Sequence, residues 1–322
     1  MQYNGIFVDK EYLEERSNEI GKKIDELEIE ITKIAGEKFN LNSSQQLAVI
    51  LFDKLQLPMI KKRSTAEAVL KDLENKHPLP MLILQYRKLY KLKNTYLDPL
   101  PLSIISSTGR VHSSFNQTMT ATGRLSTSSP NFQNIPIRTE DGKEVRKAIR
   151  ARSDKYQIFS ADYSQVELRV MAHLSGDESL ILALNNGEDI HTFTAKNIFN
   201  VDNDEKVLPE MRRIAKIVNF GIMYGAGPFR LSQELDVPFN EAKQIKDAYF
   251  NKYKGIERYI ETSKKHIKES KSVETLLGRK RAVWDSDSQN KIRRDAAERM
   301  AINMPIQGTA AEMIKLAMIK IH

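Results

Sequence analysis

Four side chains between residues 212 and 224 have the types and spacing that suit a bound nucleotide. Arg212, Lys216, Phe220 and Tyr224 follow one another at intervals of four residues. At 100° per residue they drift by only about 120° around a helix, so they share one face roughly 18 Å long. Two cations followed by two rings match a triphosphate, a sugar and a base laid along that face. The alternative is a core helix with solvated cations, which explains the order of cations and rings less well.

Asp162 is a candidate ligand for a hard divalent cation. It follows the apolar run 156–161, which predicts a buried strand, and it precedes a helical pattern over 165–174. A carboxylate at the end of a buried strand is held rigidly, and Mg²⁺ prefers oxygen ligands of this kind. An Asp that caps the following helix is the commoner arrangement, so Asp162 alone leaves both interpretations open.

Helices are predicted to hold most of these side chains. Residues 181–300 are mostly helical in pattern, whereas 14 of the 22 residues in 113–134 are Ser, Thr, Asn or Gln, which predicts short strands and turns. The order of helices, strands and helices, without a βαβ alternation, predicts an α+β fold. Further helices are predicted in the first hundred residues, over 13–36, 42–58, 65–73 and 80–96.

The composition excludes several classes of protein. The 322 residues contain 50 Lys and Arg against 42 Asp and Glu, a formal net charge of +8. This balance indicates an anionic partner, with nucleic acid before a membrane surface. Because there is no cysteine, a disulfide scaffold and a cysteine nucleophile are excluded. No signal-peptide or membrane-spanning pattern occurs, so we expect a cytoplasmic protein without membrane association.

Five motifs occur in an order that resembles the polymerase domain of family A DNA polymerases, of the bacterial DNA polymerase I type. They are TGRLS from Thr122, PNFQNIP from Pro130, DYSQVELR from Asp162, RRIAKIVNFGIMYG from Arg212 and PIQGTAA from Pro305. The resemblance covers nearly the whole chain. It implies DNA-templated addition of dNTPs to a primer 3′ end, in DNA replication and repair, with primer-template DNA and dNTPs as partners.

The resemblance also implies a right-hand architecture. On that basis a helical thumb covers residues 1–100 and the first part of an antiparallel-sheet palm covers 101–180. Helical fingers cover 181–300, and residues 301–322 begin the return to the palm.

Metal and nucleotide ligands follow from the same resemblance. Asp162 resembles a ligand of two catalytic Mg²⁺ ions, assisted by the carbonyl of Tyr163, and these ions would clamp the attacking and leaving oxygens. Glu167 resembles the steric gate that excludes a ribose 2′-OH. The implied catalytic residues are Asp162, Lys216 and Arg212. The implied nucleotide-binding residues are Tyr163, Gln165, Glu167, His191, Arg212, Lys216, Phe220 and Tyr224.

Contacts to primer and template are implied at a further set of positions. Arg124 and Gln307 can donate to minor-groove acceptors that all base pairs share, which would check pair shape without reading sequence. The implied DNA-binding residues are Arg124, Gln133, Asn134, Arg299, Asn303 and Gln307.

One family motif lies beyond the sequence. The His-Asp-Glu run that supplies the second metal-binding aspartate follows the PIQGTAA motif, and the chain reaches His322 before it. We therefore expect little activity from this chain alone and a separate C-terminal polymerase segment as a partner. Two other functions stay open. One is a non-catalytic DNA-binding fragment that needs a C-terminal partner chain. The other is a single-subunit RNA polymerase, against which Glu167 and the TGRLS and QNIP motifs argue.

Overall fold

The chain forms two compact units. The structure, a computed structural model, describes residues 1–60, 62–136, 140–201 and 206–322. The first unit comprises residues 1–115 and 126–160, and the second comprises 116–125 and 161–322. Within the described ranges the chain is mostly helical, with three two-stranded sheets. The α+β prediction is thus confirmed in its coarse form, as helices with a few short strands.

Helices dominate the first unit. Asp9 caps α1 by accepting the N–H of Tyr12 at 3.0 Å, and Gly36 ends it with a φ of 76°, as the sequence predicts. Turns of π-helix over Val49–Lys54 and Lys93–Leu97 extend α2 and α4. The helices are α1 Lys10–Ala35, α2 Ser44–Ala48, α3 Glu67–Leu73, α4 Pro78–Leu92, α5 Pro99–Leu102 and α6 Glu140–Lys147.

Short strands lie just before and within the polar region 113–134, and those within it agree with the prediction. Strand β1 Ile104–Ile105 pairs antiparallel with β2 Arg110–Val111. Strand β3 Ser114–Asn116 pairs with β4 Ser126–Ser128, and a 3₁₀ turn follows over Phe132–Asn134.

The second unit is built from eight helices and one small sheet among its described residues. Strand β5 Ser272–Glu274 pairs antiparallel with β6 Lys280–Ala282. An apolar core lies between the helices and includes Met171, Ile190, Val218 and Ile306. The helices are α7 Val166–Ser175, α8 Glu178–Asn185, α9 Ile190–Phe199, α10 Pro209–Met223, α11 Pro228–Leu235, α12 Phe239–Lys252, α13 Lys254–Ser270 and α14 Lys291–Ile321.

Helix α14 is 31 residues long and contains a buried proline, Pro305. Three residues later, Gly308 lies against the loop after β5. A Cβ atom on Gly308 would come within 2.5 Å of Thr275 Cγ2 and 3.4 Å of the Thr122 carbonyl oxygen. The backbone N–H of Leu276 donates to Thr309 Oγ1 at 3.1 Å, which ties the same loop to the helix.

The predicted strand over 156–161 is wrong. The structure contains no regular secondary structure there, and Ile158 and Phe159 are 58% and 83% exposed. Within the described ranges no strand pairs with this run, and an unpaired strand would leave its backbone groups without partners and its apolar side chains unburied. An apolar run therefore indicates a strand only where neighbouring strands are present.

None of the described helices combines the length and the apolar character needed to cross a membrane.

Candidate active site

Helix α10 carries the predicted row of cations and rings. Arg212, Lys216 and Phe220 lie one turn apart within the helix, which begins at Pro209. Tyr224 caps its end, and its backbone N–H donates to the Phe220 carbonyl at 3.0 Å. The rings of Phe220 and Tyr224 have centroids 6.2 Å apart. The face predicted from the spacing is therefore continuous from its first cation to its last ring.

Arg212 is fixed by Asp189, a residue that the motifs do not identify. Its Nε and Nη2 atoms donate to the two carboxylate oxygens at 3.1 and 2.7 Å. Asp189 also caps α9 by accepting the N–H of Thr192 at 2.7 Å. Burial raises the pKa of Asp189, but hydrogen bonds from Arg212 and Thr192 outweigh it and hold that pKa well below its usual value. The carboxylate is thus charged at all working pH values, and one end of the cation row is partly neutralised.

His191 lies beside the middle of this row. It is 5% exposed, and its ring centroid is 5.7 Å from that of Phe220. Burial lowers the pKa of His191. Asp189 opposes that shift, while Arg212 and Lys216 add to it. The imidazole is therefore neutral near pH 7, because a charged ring would lose hydration and face two cations.

Three predicted residues meet at Glu167, near the start of α7. Tyr224 donates its hydroxyl hydrogen to one carboxylate oxygen of Glu167 at 2.9 Å, and Arg124 forms an ion pair with the other. The Glu167 side chain is only 12% exposed. Burial, followed by the charge of Glu167, raises the pKa of Tyr224, so the phenol stays protonated and continues to donate.

A glycine turn positions Arg124. Thr120 closes the turn by donating its hydroxyl to the Arg124 carbonyl at 2.6 Å. Gly123 has a φ of 79°, and a Cβ atom there would lie 2.9 Å from Arg279 Nε. Arg279 is itself held by Glu312 of α14 at 3.0 Å. The TGR sequence thus supplies the conformation and the space that Arg124 needs to reach Glu167.

A cleft of about 410 Å³ brings together four of the predicted contact residues. Gly225, with a φ of 70°, lets the end of α10 approach α14, since a Cβ atom there would lie 2.8 Å from Arg299 Cγ. Asn303 has a buried Oδ1 that accepts no hydrogen bond from the described residues. The lining residues are Tyr224, Arg230, Arg281, Ala296, Arg299, Met300, Asn303 and Gln307.

Arg230 and Arg281 are cleft residues that the sequence reasoning missed. Arg230 pairs with Glu234 at 2.7 Å, and burial lowers the pKa of Arg281. The sequence signal for Arg281 is the run of three basic residues from Arg279, whose default interpretation is a solvated surface. With Arg299 they give the cleft three guanidinium groups, which suits a phosphate backbone.

The predicted metal ligands do not assemble into a site. Asp162 and Tyr163 are exposed and irregular, and Gln165, directly before α7, has a φ of 53° and makes no side-chain capping bond. The helix-capping interpretation of Asp162 is therefore wrong. No group of three or more His, Cys, Asp or Glu residues that could hold a metal ion occurs in the described parts of the chain. A site for two ions does not fit this donor set.

Gln133 and Asn134 lie in the first unit, on the 3₁₀ turn capped by Asn131. Gln133 Oε1 accepts the N–H of Thr127 at 3.2 Å. The Asn134 carbonyl accepts the hydroxyl of Tyr96. The turn is thus fixed to β4 and to the π-helical turn after α4.

Comparisons with known proteins give a consistent result. A family model described as DNA polymerase family A matches residues 10–322. The thermostable DNA polymerase I of Thermus aquaticus is 50% identical over 327 residues, which cover 100% of this chain and 39% of that protein. The DNA polymerase I of Bacillus subtilis (strain 168) is 46% identical over 323 residues, covering 99% and 37%. The chain thus spans less than two fifths of the length of these relatives.

A solved structure is similar in both fold and sequence. The POL domain of Pol1 from M. smegmatis, in complex with DNA primer-template and dNTP, matches with a TM-score of 0.88 and 41% identity. The match covers 98% of this chain and 56% of that chain.

Proposed function

The chain belongs to DNA polymerase family A, and from that premise we propose that it binds an incoming dNTP and primer-template DNA for DNA-templated DNA synthesis in replication and repair. The observation that carries the proposal is the α10 face, where two cations are followed by two aromatic rings and Glu167 is bonded to the last of them. The cytoplasm is the proposed location.

The nucleotide would lie along α10 with its phosphates at the first two turns. Arg212 and Lys216 supply positive charge, which phosphoryl transfer needs more than covalent help. Phe220 would face the sugar and Tyr224 the base. Glu167, fixed by two partners, would occupy the space beside the sugar that a 2′-OH requires.

DNA would bind along the arginine-rich cleft of the second unit. Arg299 and its two guanidinium neighbours suit phosphates, whereas Asn303 and Gln307 offer amides to base edges. The free Oδ1 of Asn303 would gain a donor from the DNA, which removes the cost of a buried acceptor without a partner. Gln133 and Asn134 are proposed as further contacts.

The subdomain assignment follows from the family. We propose that residues 1–100 form the thumb, 101–180 the first part of the palm, 181–300 the fingers, and 301–322 the start of the return to the palm. A sheet in the palm would require strands additional to those that the structure describes.

Asp162 and the Tyr163 carbonyl are the proposed contacts for Mg²⁺. One exposed carboxylate and a carbonyl do not fit two ions. A separate polymerase segment that supplies another carboxylate is the proposed partner for catalysis.

Equilibrium binding of a dNTP to the purified 322-residue chain tests the proposal. Lys216→Ala should weaken binding on the order of tenfold, since a charged hydrogen bond to phosphate is lost. Lys243→Ala is the matched control, because Lys243 is exposed on α12. Equal affinities for the two variants would refute the assignment of α10.

A second candidate function is DNA binding without catalysis by this chain. The exposure of Asp162 favours it. Primer extension with Mg²⁺, with and without a separately expressed C-terminal segment, distinguishes the two. Robust extension by the 322 residues alone would exclude the second candidate. Stimulation by the added segment would support the polymerase function of the assembled pair.

A further inference from the structure

Four polar side chains are buried together behind the proposed phosphate site. His191 and Thr194 belong to α9 and are 5% and 0% exposed. Asn219 of α10 is 0% exposed, and Tyr253, between α12 and α13, is 1% exposed. Buried polar groups are costly unless they are paired, so the bonds among these four residues carry information about their protonation.

Asn219 is the centre of this network. Its Nδ2 atom lies 3.2 Å from His191 Nδ1 and 3.1 Å from Thr194 Oγ1, so its two hydrogens have two acceptors. Its Oδ1 atom accepts from the Thr194 hydroxyl group at a longer 3.3 Å. The hydroxyl groups of Thr194 and Tyr253 are 2.8 Å apart and close the network on its far side.

The Asn219 contact determines which imidazole nitrogen carries the proton. With Nδ2 of Asn219 facing the ring, the amide donates and Nδ1 of His191 presents its lone pair. In a neutral ring the hydrogen is then on Nε2. Nε2 makes no hydrogen bond with the described residues, so its hydrogen remains available to a ligand.

The charges around His191 favour the neutral ring. Asp189 lies at the start of the same helix, but its carboxylate is paired with Arg212. From α10, the cations of Arg212 and Lys216 face the imidazole and disfavour a third positive charge. Asn219, Thr194 and Tyr253 add only neutral dipoles on the buried side.

We propose that Asn219 is a positioning residue that fixes His191 as the neutral Nε2–H tautomer, so that Nε2 donates a hydrogen bond to a phosphate oxygen of the bound nucleotide. The phosphate part of this proposal rests on the proposed function, whereas the tautomer follows from the network itself. No proton is transferred, and the number of protons on His191 does not change when the nucleotide binds.

Nitrogen-15 NMR of the labelled full chain measures the tautomer directly. The His191 signals are identified as those missing from His191→Gln. We expect an unprotonated Nδ1 and a protonated Nε2 from pH 6.5 to pH 8. A protonated Nδ1 in the unliganded protein, either as the other tautomer or as imidazolium, would overturn the proposal whatever the protein binds.

Asn219→Asp tests the positioning role. Its carboxylate only accepts, so it should draw a proton to Nδ1 and raise the pKa of His191. At low pH the imidazolium carries a hydrogen on Nε2 and can donate it to phosphate. As the pH rises, the ring keeps the Nδ1 hydrogen that the new carboxylate accepts and loses the Nε2 hydrogen. The Nε2 lone pair then faces the phosphate. Inorganic triphosphate should therefore bind this variant about tenfold or more weakly at pH 8, with recovery at low pH. Asn251→Asp, at an exposed residue of α12, is the control. For this variant the ratio of wild-type to variant affinity should be the same at low pH and at pH 8.

The two proposals fail in different ways. If triphosphate leaves the His191 Nε2 signal unchanged while the free protein shows the Nε2–H tautomer, the phosphate assignment is wrong and the network assignment stands. If Asn219→Asp does not fold, the wild-type tautomer still decides the network assignment. A variant affinity that does not depend on pH would remove the positioning role of Asn219.

Discussion

Tyr224 donates its hydroxyl hydrogen bond to Glu167 at 2.9 Å, across 57 positions of sequence. The ring proposed to face the base is thereby joined to the carboxylate proposed to exclude a ribose. Arg124 holds the opposite carboxylate oxygen. Movement of any one of these side chains must therefore change the position or the hydrogen bonding of another.

Tyr224→Phe should loosen this arrangement without removing a charge. Glu167 would keep Arg124 but lose one donor, so we expect the free energy of unfolding to fall by about 1 kcal/mol. Discrimination between dATP and ATP, measured as a ratio of dissociation constants, should fall severalfold. Tyr3→Phe, at a residue that is 93% exposed, is the control. A ratio unchanged from wild type would show that Glu167 does not depend on Tyr224 for its position.

Asp189→Asn should strengthen nucleotide binding. The amide still caps α9, but it no longer neutralises Arg212, so the phosphates would meet a more positive site. We expect a dissociation constant for dNTP lower by about threefold or more. Because the pair is largely exposed, the free energy of unfolding should change by less than about 1 kcal/mol.

Glu210→Gln breaks a comparable exposed pair with Arg213 and serves as the control. If Asp189→Asn binds dNTP more weakly, then the orientation that Asp189 gives to Arg212 contributes more to binding than the loss of the Asp189 charge.

Gly225→Ala should destabilise the second unit. Its φ of 70° is unfavourable for alanine, and the new Cβ would meet Arg299. We expect a loss on the order of 1–3 kcal/mol in unfolding free energy, together with weaker DNA binding as Arg299 shifts. Gly227→Ala is a control two residues away, since a Cβ there meets nothing within 4 Å. Similar urea midpoints for the two variants would contradict this account of the turn.

Tyr259 should contribute to loss of stability in alkali. Burial raises its pKa to about 12, and its hydroxyl donates to the Ile302 carbonyl at 3.1 Å. In the unfolded chain a tyrosine ionises near pH 10, so its contribution is intact below about pH 10 and is lost as the pH rises towards 12.

Tyr259→Phe should therefore be less stable by about 1 kcal/mol at pH 7, because the hydrogen bond is lost. Above pH 10, the free energy of unfolding of the variant should fall less steeply than that of the wild type. The two slopes should differ by up to about 1.4 kcal/mol per pH unit. Urea unfolding between pH 7 and pH 11 measures both effects. Parallel curves for the variant and the wild type would rule out ionisation of Tyr259 as a cause.

Local patterns in the sequence predicted local structure well. The end of α1 at Gly36 and the shared face of Arg212, Lys216 and Phe220 depend only on residues a few positions apart. The strand over 156–161 failed because a strand depends on partners elsewhere in the chain, and periodicity carries no information about them.

The contacts within the candidate site were harder to predict for the same reason. Arg124 and Glu167 are 43 positions apart, and Asp189 and Arg212 are 23 apart. Asp189 caps α9 through a contact three residues away, but its pairing with Arg212 depends on the packing of α9 against α10. The family motifs contain Arg124, Glu167 and Arg212 but not Asp189, and the bonds among these residues required the structure.

Pro305 makes α14 easier to bend at that residue. Proline has no N–H, so the helix loses one rung of its hydrogen-bond ladder at that residue and bends there at lower cost than elsewhere. Asn303 and Gln307 lie on either side of it and line the same cleft. A side chain at position 308 would collide with Thr275 Cγ2, and because α14 bends more easily at Pro305, we expect the resulting shift to change the width of the cleft.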